Sequence, residues 1–292
     1  MDLGIVIVNY NTRDLLRRCL ETVFASTEVQ FSVCVVDNAS SDKSAVMVAE
    51  EFPSVHLIAN DDNLGYPAAN NQGLRWLGFG KKRQGDATYA LLLNPDTELP
   101  PDALKKAVAF MAAHPDVGIL GPKLVRPDGA LDLACRRSFP SPEVSFYRLI
   151  GLSRLFPRSR RFGRYNLTYL DPDETAEVDS VVGAFMMVRD DALSEVGLLD
   201  DTFFMYGEDL DWAYRIKQAG WKVVYYPEIT VLHVKRAASR ASARAQVEFW
   251  RAMDIFYNKH YAAETSRWLH YLILGAVRAK LKLTQWQVGE NV

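Results

Sequence analysis

Along the first 120 residues two rhythms of apolar positions alternate. Short runs rich in Val, Ile and Leu, at 3–8, 31–36, 55–59, 90–93 and 117–120, are continuous enough to be strands buried on both faces. Between them lie amphipathic stretches such as 12–25 and 101–113, where apolar residues recur every three or four positions. Strand and helix in repeated succession predict a mostly parallel sheet with helices packed on its faces, an α/β fold. The rhythm is lost over 134–176, where Pro, Arg and aromatics mix, and this segment reads as loop and short helix. It resumes with a strand-like run over 178–188, a helix over 208–219 stopped by Gly220, strands at 222–226 and 230–233, and a helical tail from 245 onward. No internal repeat or low-complexity tract interrupts it. The expected organisation is an α/β domain over 1–240 and a helical C-terminal extension over 241–292.

Ligands of open α/β sheets gather at the carboxyl ends of the strands. The residues there are Asn9-Tyr10-Asn11, Asp37-Asn38, Asn60-Asp61 and Asn94-Pro95-Asp96, every set bearing carboxamides or carboxylates, which predicts a polar cleft. Asp96 would project from the rim, where it suits a divalent cation. Hard cations such as Mg²⁺ take oxygen ligands and need only one or two protein carboxylates, leaving diphosphate and water to complete the shell. Read alone, Asn-Pro-Asp also fits a turn with an Asp cap. Gly207-Glu208-Asp209-Leu210-Asp211-Trp212 sets three carboxylates at a helix start. The helix dipole explains one or two of them, and Asp211 with Arg215 forms an i,i+4 pair; adjacent acids after an aromatic run also suit a general base. His233 closes a strand, where imidazole can join a carboxylate on a metal or serve the core. Asn63-Leu64-Gly65 leading to Asn70-Asn71 combines a glycine turn with a helix start, and its amides can face a nucleotide or cap the helix. Gly65 and Gly73 lack the spacing and the Lys of a phosphate loop.

Composition narrows the class. With 292 residues and 49% hydrophobic content the chain can bury a substantial core. Its 34 basic and 36 acidic residues give no broad field for gripping nucleic acid, which excludes that partner. Cys19, Cys34 and Cys135 are odd in number and two lie in apolar patterns, so they read as reduced core residues of a cytosolic protein. No basic leader precedes the first apolar run and no stretch is long enough to span a bilayer, so a cytoplasmic location without a signal peptide is expected. Charge is uneven locally. Residues 154–164 hold five arginines and no acid, and residues 231–292 carry ten Lys or Arg against four Asp or Glu. Within that tail an apolar run over 268–277 precedes Arg278, Lys280, Lys282 and Trp286. The order suits a helix at 265–288 lying on an anionic inner leaflet, or packed on the body or on a second subunit as a homo-oligomer contact.

In chain order, Ile5-Val6-Ile7-Val8-Asn9-Tyr10-Asn11, Asp37-Asn38-Ala39-Ser40-Ser41-Asp42, Asn63-Leu64-Gly65 with Asn70-Asn71-Gly73, Asn94-Pro95-Asp96, Glu208-Asp209 and His233 resemble the inverting glycosyltransferases of family 2, over the span from 5 to 239. The resemblance implies a GT-A, Rossmann-like nucleotide-binding fold and a nucleotide diphosphate sugar donor contacted by Asn9, Asn11, Asp37, Asn63, Gly65, Asn70, Asn94 and Asp96. It implies Mg²⁺ or Mn²⁺ on Asp96 and His233, and an acidic pair in which Asp209 is the base beside Glu208. Asn94 stands where the family carries the first acid of its Asp-x-Asp, which leaves metal binding to Asp96. Among members the motifs are most similar to bacterial rhamnosyltransferases of cell-surface polysaccharide synthesis, implying dTDP-L-rhamnose and a glycan or lipid-linked glycan acceptor, with a UDP-sugar as the alternative donor. A nucleotidyltransferase would show a glycine-rich basic loop near the first strand, where only Arg13 occurs; a non-catalytic sugar-binding module would lack the acids that are present.

Overall fold

The computed structural model describes residues 2–80, 87–234 and 243–289; the expected junction between residues 240 and 241 lies outside them. Strand β1 (Leu3–Asn9) is buried along its whole length, which demands cover on both faces and puts it inside the sheet. It pairs in parallel with β2 (Phe31–Asp37) on one side and β4 (Tyr89–Leu93) on the other, and β2 pairs in parallel with β3 (His56–Ala59). Helix α1 (Arg13–Phe24) turns one stripe, Leu15, Leu16, Cys19, Leu20 and Val23, into the core. Two further helices, α2 (Ser44–Glu51) and α3 (Tyr66–Trp76), complete this half. Gly73 lets α3 lie close on β1, since a Cβ there would sit 2.6 Å from a Val6 methyl.

Beyond residue 97 the pairing becomes mixed. After β5 (Thr97–Glu98) and α4 (Ala103–Ala113), strand β6 (Val117–Val125) runs parallel to the last strand, β9 (Lys222–His233). Strand β8 (Phe185–Arg189) is inserted between β4 and β6, antiparallel to both, while β5 and β7 (Ala176–Glu177) pair antiparallel with β9. The sheet order is β3-β2-β1-β4-β8-β6-β9-β5. Two sequence expectations need correction. The separate strands foreseen at 222–226 and 230–233 are one strand, because the gap at Pro227 is accommodated as an irregularity where the register with β6 slips between Pro122 and Lys123. The strand foreseen over 178–188 shortens to β8, the residues before it meeting the rest through a bridge from Ser180 to Arg137.

The segment 134–176 contains the short helices α5 (Pro142–Leu149) and α6 (Leu152–Leu155). They are followed in the chain by α7 (Asp190–Val196) and α8 (Glu208–Gln218), and then by the C-terminal hairpin of α9 (Ala243–His260) and α10 (Arg267–Val288). Helix α9 is anchored to the body. Its Ala252 and Phe256 join Phe203 and Leu210 in a second apolar cluster. Asp211, fully buried on α8, takes ion pairs from Arg215 (2.8 Å), Lys259 (2.8 Å) and His260 (2.7 Å). Burial opposes ionisation, but these hydrogen bonds and charges win and hold the carboxyl at about 2. Helix α10 leaves Trp268, Tyr271, Leu272 and Trp286 exposed. Among the described residues no helix is long and apolar enough to cross a membrane. All three cysteines are free and buried, and burial pushes the Cys19 and Cys34 thiols up to about 12.

Candidate active site

The carboxyl ends of β1, β2 and β3 form one interlocked polar rim. Asn9 Nδ2 donates to Asp37 Oδ1 (2.8 Å) and Ser40 Oγ (3.1 Å), and Asp37 Oδ2 accepts from the Ser40 amide (2.9 Å). Asn9 and Asp37 are thus buried and satisfy each other, acting as the frame of the rim. Asn11, in the left-handed region at φ 53°, accepts from the Ser41 amide (2.8 Å). With Arg13, Asp14 and Asp42 it lines an open hollow of about 270 Å³. Asn60, with Asn38 (2.9 Å) and Gln72 (2.9 Å), continues the network.

The turn into α3 brings the two halves together. Asn63 Oδ1 accepts from the Gly65 amide (3.0 Å), and the Tyr66 amide donates to the carbonyl of Phe204 (2.8 Å), just ahead of the acidic pair. Gly65 has φ 86°, and a Cβ on it would lie 2.5 Å from that same carbonyl oxygen, so both its backbone conformation and the close approach require glycine. Asn70 donates to the Tyr66 carbonyl (2.8 Å), yet its buried Oδ1 has no partner among the described residues. Asn71 is a structural lock, exchanging hydrogen bonds in both directions with the backbone of Leu199 (2.8 and 3.1 Å).

At the end of β4 the Tyr66 hydroxyl lies between Asn94 Oδ1 (3.1 Å) and the Gly183 carbonyl oxygen (3.0 Å), its one proton shared between them. Burial and the nearby Glu208, Asp209 and Asp96 carboxylates push this phenol well above its ordinary range. Strand β5 pairs Thr97 with His233, and the Val234 amide donates to the Asp96 carbonyl (2.8 Å). This pairing sets Asp96 Oδ1 3.3 Å from His233 Nε2. The opposite ring nitrogen, Nδ1, meets Asp132 Oδ2 at 2.9 Å, which fixes the imidazole and turns Nε2 toward Asp96. Burial pulls the imidazole pKa down, but the hydrogen bonds and charges of Asp132 and Asp96 outweigh it and raise it. Adjacent ligands of a six-coordinate cation at about 2.1 Å lie roughly 3 Å apart, so this donor pair fits one divalent ion. Among the described residues no group of three or more His, Cys, Asp or Glu is arranged to hold a metal, so further ligands would have to come from diphosphate and water.

The acidic pair opens α8 immediately after Gly207 in the left-handed region. Asp209 Oδ2 receives Arg137 Nη2 (2.7 Å) and the Gly183 amide (3.2 Å), and its Oδ1 receives the Leu210 amide (2.7 Å). Arg137 is itself buried and also donates to the Val181 carbonyl (2.6 Å). Glu208 differs: it is buried, its Oε2 has no partner among the described residues, and burial followed by the charge of Asp209 pushes its carboxyl up to about 8. Asp211 points away into the ion-pair cluster with α9. The Tyr66 hydroxyl and Gly183 thus link Asn94 to Asp209, while His233 is held at Asp96 two residues beyond Asn94 and Glu208 precedes Asp209 in the chain. Sequence reading missed Tyr66, Arg137 and Asp132; the Leu-Asp-Leu context of Asp132, an acid between apolar residues, was the one local signal.

The model of glycosyl transferase family 2 matches residues 4–197. The N-acetylglucosaminyl-diphospho-decaprenol L-rhamnosyltransferase of Mycobacterium tuberculosis is 31% identical over 239 residues, 80% of this chain and 76% of that protein. The rhamnosyltransferase WbbL of Escherichia coli is 25% identical over 245 residues, 81% of this chain and 85% of that one. In fold, the chain is similar to a mannosyltransferase from Pyrobaculum calidifontis solved in complex with GDP-Man and Mn²⁺, with a TM-score of 0.60 at 17% identity over 99% of this chain and 72% of that one.

Proposed function

Because this chain belongs to glycosyl transferase family 2 and is a glycosyltransferase of GT-A fold, we propose that it moves L-rhamnose from dTDP-L-rhamnose onto a hydroxyl of a lipid-linked glycan, in the synthesis of a cell-wall or surface polysaccharide. The observation that carries this reading is the link from Asn94 through the Tyr66 hydroxyl and Gly183 to Asp209, which sets the Asp96–His233 pair, two residues beyond Asn94, across from the Glu208–Asp209 pair. One pair is suited to the departing diphosphate and the other to the incoming hydroxyl, as direct displacement at the anomeric carbon requires. The names of the Mycobacterium tuberculosis and Escherichia coli relatives support rhamnose as the sugar.

Asp96 and His233 would hold Mg²⁺ or Mn²⁺, which when bound supplies positive charge beside the departing diphosphate. The rim of Asn9, Asn11, Asp37, Asn63 and Asn70 frames the nucleoside end. Asp209 takes the acceptor proton, with Arg137 and the Gly183 amide fixing its orientation. A second reading assigns that proton to Glu208, favoured by its unpartnered Oε2 and requiring that the carboxyl, raised to about 8, first lose its own proton. The acceptor would be met at the cytoplasmic face of the inner membrane, with residues 265–288 lying on that surface.

A thermal-shift screen of dTDP- and UDP-sugars with Mg²⁺ or Mn²⁺ tests the donor, since a ligand of the native state raises the melting temperature. Failure of every nucleotide sugar would overturn the reading. For the base, Asp209→Asn is expected to abolish transfer while donor binding persists, with Glu208→Gln retaining activity; the reverse outcome would move the proton to Glu208.

A further inference from the structure

We propose that α5, α6 and the turn after them form a second docking surface, separate from the C-terminal helix, for a bilayer containing anionic lipid. Residues 144–170 contain six arginines and no Asp, Glu or Lys, in a chain of net charge −2. The five at 154–164 are all exposed. Interleaved with them, Phe146, Leu149, Ile150, Leu155 and Phe156 also face solvent, Leu149 at 63% and Leu155 at 69% exposure. Aromatic contacts hold the segment together: Tyr147 meets Phe162 at 4.9 Å and Phe156 meets Phe162 at 5.7 Å. Glu143, the acid that precedes the segment in sequence, accepts from the Tyr147 hydroxyl (2.7 Å) and has its charge offset by Arg161 (3.3 Å).

Large apolar side chains beside exposed arginines, of which Arg154, Arg158 and Arg160 have no ion pair among the described residues, fit one environment best. A headgroup region accepts Leu and Phe below the phosphates and Arg among them. A nucleic acid would leave Leu149, Ile150 and Leu155 in water, and a second copy meeting this face with the same face would set arginine against arginine. The position agrees with a lipid-borne acceptor. The segment enters α5 directly from Arg137, which holds Asp209, and the Ser138 amide donates to the Tyr165 carbonyl (2.8 Å), tying the far end of the patch back to the acidic pair. This deepens the reading above and rests on it for the acceptor, although docking itself is measurable without donor or acceptor.

The test is co-sedimentation of the full chain with vesicles of phosphatidylcholine alone or mixed with phosphatidylglycerol. Binding is expected to the mixed vesicles and to weaken with salt. Charge reversal of Arg154, Arg158 and Arg160 to Glu, sparing Arg161 because it pairs with Glu143, should lower partitioning by more than about 100-fold, since loss of each arginine's charge alone costs about 1 kcal/mol and each new carboxylate adds repulsion. Leu149→Ser with Leu155→Ser should lower it about 10-fold without moving the melting temperature, since both side chains are exposed; Arg154, Arg158 and Arg160 changed to Gln serve if charge reversal unfolds the chain. Variants that bind like the parent, while Trp268→Ser with Trp286→Ser abolishes binding, would overturn the proposal. So would a dimer that these substitutions dissociate, or binding to duplex DNA or RNA with none to vesicles. Vesicle binding without nucleotide-sugar binding would keep this surface and sink the proposed donor; the opposite pattern would do the reverse.

Discussion

Asp211 offers a perturbation whose size the structure sets. It is fully buried and its carboxyl is held at about 2 against an ordinary value of 3.8 by His260, Arg215 and Lys259. At about 1.4 kcal/mol per tenfold change in proton affinity, that depression contributes about 2.5 kcal/mol to folding at neutral pH. Asp211→Asn should lose about this much. The larger penalty of an abandoned buried charge, about 3–5 kcal/mol, does not apply. Lys259 keeps Asp200 (2.5 Å), and Arg215 keeps the Val196 and Leu198 carbonyls. A native pKa below the unfolded one gives stability that is present above 3.8 and lost as pH falls toward 2, so the gap between parent and variant should be full at pH 7 and 5 and about halved near pH 3. Urea unfolding at these three pH values measures it, and the melting temperature should fall on the order of 5 °C or more at pH 7. A variant within about 0.5 kcal/mol of the parent at pH 7, or a gap unchanged at pH 3, would refute the assignment of α9 docking to this cluster.

Gly65→Ala should destabilise the chain by about 2 kcal/mol or more, since it combines a left-handed backbone with a Cβ 2.5 Å from a carbonyl oxygen; thermal melting checks it. Tyr66→Phe leaves Asn94 Oδ1 and the Gly183 carbonyl without their shared proton and should lower kcat/KM about 10-fold, read by steady-state kinetics. Asp132→Ala frees the His233 ring and should weaken Mn²⁺ binding about 10- to 100-fold, measured by calorimetry in the presence of nucleotide. Glu208, raised from 4.5 to about 8, confers stability that is full below pH 4.5 and lost as pH rises to 8. The melting temperature of Glu208→Gln relative to the parent should therefore increase between pH 5 and pH 8.5, and a constant difference would argue against a buried neutral carboxyl.

Periodicity alone located the buried strands, because β1, β2 and β4 are covered on both faces and so read as unbroken apolar runs. The meeting of Asp96 with His233 was foreseen only through the family resemblance, since 137 positions separate them and the two-residue strand β5 is too short to leave a pattern. The partners that tune the site lay beyond reach for a similar reason. Arg137 finds Asp209 across 72 positions and Tyr66 finds Gly183 across 117, and nothing in their neighbouring residues announces either contact. The break expected between 226 and 230 does not occur because Pro227, of a residue type that ends many strands, here sits in an irregularity of a continuous strand. The antiparallel insertion of β8 was likewise hidden, as an apolar run has no direction.

The burial of Cys19, Cys34 and Cys135 makes the folded chain nearly mute toward thiol reagents, since the thiolate is the reactive form and two of the thiols are pushed to about 12. Modification rates of the parent then clock opening of the core, the elements around β2 and α1 reporting through Cys34 and Cys19. The same silence supplies a clean background. A single thiol introduced as Leu149→Cys or Trp286→Cys could carry an environment-sensitive dye without removal of any native cysteine, so that the proposed contacts of α5 and of α10 with vesicles could be tested one at a time.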